Sequence, residues 1–311
     1  MYRDKTVSVV VPAYKEENHI AKVIETMPDF VDSIVIVDDA SPDRTAEVAR
    51  EAADERTTVV TLEKNQGVGG AVLEGHRHAI ANGMDISVVM AGDAQMDPAY
   101  LPPLLDPICT QGYGFTKANR FFSASSFEGM PKYRIFGNVV LTFLTKASSG
   151  YWNLVDPQNG YTAVTTDALS RLPLNKIHHR YDFENDMLIW LNIANVRACD
   201  VPIPAVYGDE VSTMKLSRVA PRIMWTLLSG GWRRMWRKYI LWDFSPIALL
   251  LIVGLFLAVF GVCVSIWAMV WSLVHGVSAT TGTWLLGVAP AIVGIQFMVQ
   301  GLVLDIEATP K

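Results

Sequence analysis

The sequence predicts a parallel-sheet α/β domain followed by a hairpin of two membrane-spanning helices. Three observations predict it. Short β-rich apolar runs alternate with helical stretches through most of the first 200 residues, the order that builds a parallel sheet. Between Phe244 and Leu304 there is no Asp, Glu, Lys or Arg, and a bilayer span takes roughly 20 apolar residues. Three polar clusters follow directly on apolar runs, where open α/β sheets bind ligands.

The elements follow in order. Residues 7–11 read as a first strand, 20–27 as a helix and 34–37 as a second strand. Ser41-Pro42-Asp43 supplies an N-cap and a first-turn proline for a helix running through Arg50. Residues 58–62 read as a third strand, 70–81 as a helix and 86–90 as a fourth strand. Later come an amphipathic helix over 135–146, a strand over 161–165 and a helix over 182–194. Residues 216–239, rich in Trp, Met and Arg, read as one or two helices on the membrane interface. The spans fall near 246–274 and 283–304, with 275–282 as the turn. The expected segments are a catalytic domain (1–213), a basic amphipathic juxtamembrane stretch (214–243) and the hairpin with a short tail (244–311). The polar clusters are residues 12–17, 38–41 and 92–97, at the ends of the first, second and fourth strands.

Only 18% of the residues are charged, below the roughly 25% of a soluble domain, and the deficit sits in the hairpin. Lys215, Arg218, Arg222, Arg233, Arg234, Arg237 and Lys238 precede the first span, and the short loop between spans has no Lys or Arg. The positive-inside rule then puts both termini in the cytoplasm. The run 7–11 is too brief for a signal core, and Pro12 ends it. Cys109, Cys199 and Cys263 have no metal-like or redox spacing and read as packing residues in a reducing compartment. His178-His179 has no third partner at metal spacing and reads as loop. A net charge of −5 speaks against nucleic acid as partner. Next to a span, the basic stretch is better matched by anionic lipid headgroups. Gly67-Val68-Gly69-Gly70 suggests a dinucleotide fingerprint, but Val72 stands at the third glycine position.

Val11-Pro12-Ala13-Tyr14-Lys15-Glu16-Glu17 resembles the opening motif of family 2 glycosyltransferases, and Val37-Asp38-Asp39-Ala40-Ser41-Pro42-Asp43-Arg44-Thr45 their second, with Ala40 where Gly is usual. Asn65-Gln66-Gly67-Val68-Gly69-Gly70-Ala71 resembles the third, with Val68 where Lys is common, and Met90-Ala91-Gly92-Asp93-Ala94-Gln95-Met96-Asp97-Pro98 the metal motif. Asn119-Arg120-Phe121, Arg134 and Asp156-Pro157-Gln158-Asn159-Gly160-Tyr161 resemble the dolichyl-phosphate mannose synthase group and its bacterial polyprenyl-phosphate relatives. The resemblance implies a GT-A type nucleotide-sugar-binding domain with a Rossmann-like mixed sheet. It also implies an inverting transfer from GDP-mannose or a UDP-hexose to a polyprenyl or dolichyl phosphate, with Mg²⁺ or Mn²⁺.

On that resemblance Pro12, Tyr14, Glu16, the backbone at Val37, Asp39, Gly92, Asp93 and Arg120 bind the nucleotide sugar, Asp39 accepting from the base. Pro12 and Tyr14 equally read as a strand-ending turn with an aromatic lid. Arg120 and Arg134 match phosphate-holding positions, which suits the guanidinium fork. Lys215 stands near the acceptor phosphate, though the family's Ser-Lys pair is displaced here as Ser212-Thr213-Met214-Lys215. A departing diphosphate needs its charge neutralised, which a divalent cation does as a Lewis acid. Asp93 and Gln95, two apart on one loop, offer it a carboxylate and an amide oxygen, while Asp93 beside Gly92 also reads as a turn residue. Ala91 stands where many relatives carry Asp, so diphosphate and water must complete the shell. A lipid phosphate is already an anionic nucleophile and needs no base. Asp156 is the candidate catalytic carboxylate, or else a turn cap before Pro157, and Glu184 a residue orienting an Arg or the acceptor. Two other readings stand beside this one: a processive polysaccharide synthase, whose extra spans and Gln-x-x-Arg-Trp signature do not appear in the sequence, and a non-catalytic scaffold, suggested by Ala91 and Val68. The expected partners are the donor, the lipid phosphate and the membrane, with a homo-oligomer open.

Overall fold

A computed structural model describes residues 1–120, 132–156, 159–204, 216–242 and 244–310. Seven strands form one sheet in the order β3-β2-β1-β4-β6-β5-β7. They are β1 (Val7–Ala13), β2 (Ser33–Asp38), β3 (Thr57–Thr61), β4 (Ile86–Val89), β5 (Phe115–Asn119), β6 (Thr162–Thr165) and β7 (Ala198–Pro202). The expected parallel order holds for β3, β2, β1 and β4. β6 then inserts antiparallel to both β4 and β5, and β7 pairs parallel with β5, so the sheet is mixed.

Helices cover both faces. One face presents Val7, Val9, Val11, Ile34, Ile36, Ile86 and Val88 to α1 (Ile20–Glu25) and α4 (Leu101–Gln111). The other presents Val10, Val35, Val37, Val89, Phe115 and Val164 to α3 (Val68–Ala81) and α7 (Phe183–Ile193). The remaining helices of this half are α2 (Thr45–Glu51), α5 (Lys132–Ser149) and α6 (Thr166–Ser170). α3 lies unusually near β1: a Cβ on Gly75 would stand 2.1 Å from Val10 Cγ1, so only glycine permits this approach.

β5 and β7 were not legible as strands, because charges interrupt their apolar pattern. Lys117 and Asp200 occupy paired register positions. Lys117 is fully buried, and neither its Nζ nor Asp200 Oδ1 has a hydrogen-bond partner among the described residues. Burial pushes the lysine down to about 8, against the pull of Asp156, Asp200 and Glu184. It likewise pushes Asp200 up to about 6 and Glu184 up to about 7. The N-cap expected at Ser41 is also absent. α2 begins at Thr45 because Asp43 Oδ1 takes both the Thr45 amide (3.2 Å) and its hydroxyl (2.6 Å).

The chain divides into two compact units, Met1–Gly231 and Trp232–Thr309, with the boundary inside α8 (Leu216–Arg234). In the second unit a π-helical stretch, Met235–Trp242, precedes α9 (Pro246–His275) and α10 (Thr281–Glu307). Both of these helices are long and apolar enough to cross a membrane, with most of their surface exposed. They pair through small residues seven apart: Gly254, Gly261 and Ala268 on α9, Gly287, Gly294 and Gly301 on α10. A Cβ on Gly261 or Gly294 would lie 2.4 Å from a backbone nitrogen of the facing helix. Small residues let backbones approach where lipid gives no hydrophobic drive. Arg234, counted in sequence with the headgroup-facing cations, is instead buried. Its Nη1 and Nη2 donate to the Asp305 carboxylate at 2.7 and 3.1 Å, and Tyr239 donates to the same carboxylate at 2.5 Å.

Gly75→Ala should cost about 2–3 kcal/mol through overpacking, measured by chemical denaturation, and Val10→Ala in the same chain should recover part of it. The raised carboxyls make a second prediction. The unfolded chain ionises Glu184 near the ordinary 4.5 and the folded chain only near 7, so stability is intact below the lower value and is lost as pH rises to the higher. Glu184→Gln should shrink the fall between pH 4.5 and 7 by roughly 1–3 kcal/mol, read from denaturation midpoints across that range.

Candidate active site

The loops after the four parallel strands meet at the carboxyl edge of the sheet, and each turns sharply. Lys15 (φ 65°), Ala40 (φ 55°), Gly67 (φ 90°) and Ala94 (φ 57°) are all left-handed, a conformation that costs a non-glycine residue about 1–2 kcal/mol. Hydrogen bonds between loops hold these turns. Ser41 Oγ accepts from the Lys15 amide at 3.1 Å, Thr45 Oγ1 from the Glu16 amide at 2.8 Å and Glu17 Oε2 from the Arg44 amide at 3.0 Å. Asp39 is buried, and its two oxygens accept from the Gln66 and Gly67 amides at 2.6 and 2.8 Å. This carboxylate therefore shapes the third-motif loop. Tyr14 is exposed, Pro12 and Glu16 are partly buried, and a Cβ on Gly92 would stand 3.2 Å from Pro12 O and 3.3 Å from Glu16 Cγ. Val37 belongs to none of this. It is wholly buried against Val10 and Ala71, with its backbone paired between β1 and β3, so it offers a ligand no surface.

One cavity collects Asp93, Gln95, Asp97, Arg120, Asn159 and Tyr161. Asp93 Oδ1 accepts from the Gln95 amide at 3.0 Å, which folds the loop so that both side chains reach the same space. Tyr161 closes the floor, its hydroxyl donating to Asp97 O at 3.2 Å. Across the cavity stands Arg120, at the end of β5. Its Nε donates to Asp156 Oδ2 at 2.7 Å, its Nη2 to Oδ1 at 3.1 Å and its amide to Oδ2 at 3.3 Å. The Asp156 side chain is 1% exposed and that of Arg120 33%. Burial alone would raise Asp156, but the Arg120 hydrogen bond and the Lys117 and Arg120 charges outweigh it and hold the carboxyl below its ordinary range. Asp156, the candidate catalytic carboxylate, thus holds Arg120 in a bidentate pair. A carboxylate spent on a bidentate guanidinium, with its pKa lowered, is a poor proton acceptor.

The structure brings Asp93, Gln95 and Arg120 together in this cavity and leaves Pro12, Tyr14, Glu16 and Asp39 outside its lining. Gly92, buried, joins the two groups. Arg134 lies on α5, but its side chain is outside the described residues, as is Lys215 altogether. Sequence reasoning missed Lys117 and the Asp156–Arg120 pair, whose partners stand 36 residues apart with no local signal. Among the described residues no group of three His, Cys, Asp or Glu could hold a metal ion. A carboxylate and an amide oxygen still fit a hard cation whose other ligands are phosphate and water.

Comparison with known proteins agrees with this geometry. Residues 8–172 match the model of glycosyl transferase family 2. The UDP-N-acetylglucosamine–dolichyl-phosphate N-acetylglucosaminyltransferase of Methanococcus voltae is 29% identical over 66% of this chain and 88% of its own. The undecaprenyl-phosphate mannosyltransferase of Micrococcus luteus is 29% identical over 68% and 87%. Among solved structures, glucosyl-3-phosphoglycerate synthase from Mycobacterium tuberculosis, in complex with Mn²⁺, UDP and glucosyl-3-phosphoglycerate, shares the GT-A fold at a TM-score of 0.57. It is 23% identical, with 73% of this chain and 80% of that one covered. A mixed sheet with its polar loops at one edge, and a family match over more than half of the chain, lead to one conclusion: this chain is a glycosyltransferase and belongs to family 2.

Proposed function

We infer that the chain transfers a sugar, with inversion, from a nucleoside diphosphate sugar to a polyprenyl phosphate at the cytoplasmic face of a membrane. One observation carries this reading: Asp156 presents the Arg120 guanidinium to the cavity that also holds Asp93 and Gln95. A fixed cation facing metal-type oxygens suits a reaction whose leaving group and nucleophile are both phosphates. The names of the Methanococcus and Micrococcus relatives, transferases to dolichyl and undecaprenyl phosphate, support the lipid acceptor.

The lipid phosphate oxygen displaces the nucleoside diphosphate at the anomeric carbon in one step. No proton need leave the nucleophile, so Asp156 can serve wholly as a clamp. Arg120, with Arg134, holds phosphate oxygens in line. Asp39 keeps the third-motif loop in shape for the nucleoside, beside Pro12, Tyr14 and Glu16. Asp93 and Gln95 would hold the divalent ion, Mg²⁺ or Mn²⁺, which when bound neutralises the departing diphosphate. With so few protein oxygens, metal affinity should be weak until donor is present. The two apolar helices keep the domain on the bilayer, where the acceptor head lies, and turn a search through solution into one along a surface.

The direct test is transfer from radiolabelled UDP- and GDP-sugars to a short polyprenyl phosphate by purified protein, with and without Mn²⁺ or Mg²⁺. A metal-dependent lipid product with one donor is expected, and no product from any donor would sink the reading. Asp93→Ala should lower turnover by at least about 100-fold with an unchanged melting temperature, and near-wild-type turnover would remove Asp93 from the metal. Arg134→Ala should weaken donor or acceptor handling by about 1.5–3 kcal/mol. Unchanged kinetics for both substrates would free Arg134 of any phosphate.

A further inference from the structure

Outside the cavity, the third-motif segment (65–70), a loop that runs into the first turn of α3, leans on the turn 178–183. The Gly70 amide donates to His179 O at 3.0 Å. A Cβ on Gly67 would stand 2.8 Å from that same oxygen, and one on Gly69 would stand 2.6 Å from Phe183 Cβ and 2.9 Å from His178 O. The loop thus lies backbone to backbone on the turn 178–183, with no room for a side chain between. Asp39 grips the loop from the sheet side, so the turn is its second support.

The turn is itself held from α8. Asp182 is 1% exposed, and its carboxylate gathers three partners. Oδ2 lies 2.5 Å from His178 Nδ1 and accepts from Thr226 Oγ1 at 2.9 Å, while Oδ1, without a hydrogen bond among the described residues, is ion-paired with Arg222 Nε at 3.0 Å. Thr226 is buried, and Arg222 is half exposed. His178 is fixed a second time, its amide donating to Asp186 Oδ2 at 3.1 Å. A chain of short contacts therefore runs from α8 through Asp182 and the turn to the Gly70 amide and the backbone at Gly67 and Gly69. A multiply bonded buried carboxylate holds its partners with little freedom.

We propose that Asp182 is a positioning residue of the donor site, clamped by Thr226 and Arg222 of α8, and that it sets the shape of the 65–70 loop through the turn 178–183. The proposal rests on the reading that this loop borders the nucleoside. α8 is then more than a tether: the helix that leads into the anchor also sets donor affinity. None of the three residues lines the cavity.

The test uses full-length protein in detergent with two variants, Arg222→Gln at the surface and Thr226→Val in the interior. Hydrogen exchange without nucleotide should show the 66–70 amides at least threefold faster in both. Calorimetry with Mn²⁺ should show UDP or GDP bound five- to twentyfold more weakly, and donor KM should rise with kcat within twofold. Arg222→Lys, which keeps the charge, should regain most of the affinity. Wild-type exchange at 66–70 in both variants overturns the proposal, as does unchanged nucleotide affinity despite faster exchange. Failure of the wild type to bind either nucleotide would instead overturn the donor-site reading, and the proposal with it. Loss of kcat at unchanged donor KM would place Asp182 elsewhere in the reaction.

Discussion

Everything in the catalytic half follows from how completely β1 is enclosed. It bonds to β2 on one edge and β4 on the other, and it packs on both faces. A strand so placed has no face left for polar chemistry, which is why the parallel strands read as runs of Val and Ile. The polar residues must gather where the chain leaves the sheet. Leaving it sharply costs backbone strain, seen in the left-handed Lys15, Ala40 and Ala94. That strain is offset by bonds between loops, with Ser41, Thr45 and Asp39 each holding the amide of another segment. The site is rigid because several loops share one set of hydrogen bonds.

The same enclosure explains what the sequence could disclose. Strands made of apolar runs, and the motifs after them, were legible because burial on two faces leaves a simple pattern. β5 and β7 were not, because Lys117 and Asp200 answer each other across the register and neither makes sense alone. α4 carries Pro102, Pro103 and Pro107, which suggest a turn. Its C-terminus is nevertheless ordinary, with Gly112 left-handed at the cap. Asp97 caps the short turn before it, accepting from the Ala99 amide at 2.8 Å. The small residues seven apart in the two apolar helices gain meaning only from the facing helix. At the site, Asp93 and Gln95 follow from spacing on one loop. The pairing of Asp156 does not, since only the fold brings Arg120 over it.

Two buried carboxylate–arginine pairs use the same chemistry to opposite ends. Both are bidentate, and neither carboxylate is exposed by more than a few per cent. Asp305 seals its arginine completely, with Tyr239 closing the remaining side. Removing either partner there would strand a buried charge, a loss of about 3–5 kcal/mol. Such a pair fixes the approach to the spans and has nothing left to give a ligand. Asp156 leaves a third of Arg120 exposed, while two bonds fix the orientation of the guanidinium. Lys117, buried behind, adds positive charge that holds Asp156 ionised without competing for its oxygens. An arginine oriented before a phosphate arrives loses little freedom on binding. Exposure, more than the pairing itself, separates Arg234, sealed in the second unit, from Arg120, which lines the cavity.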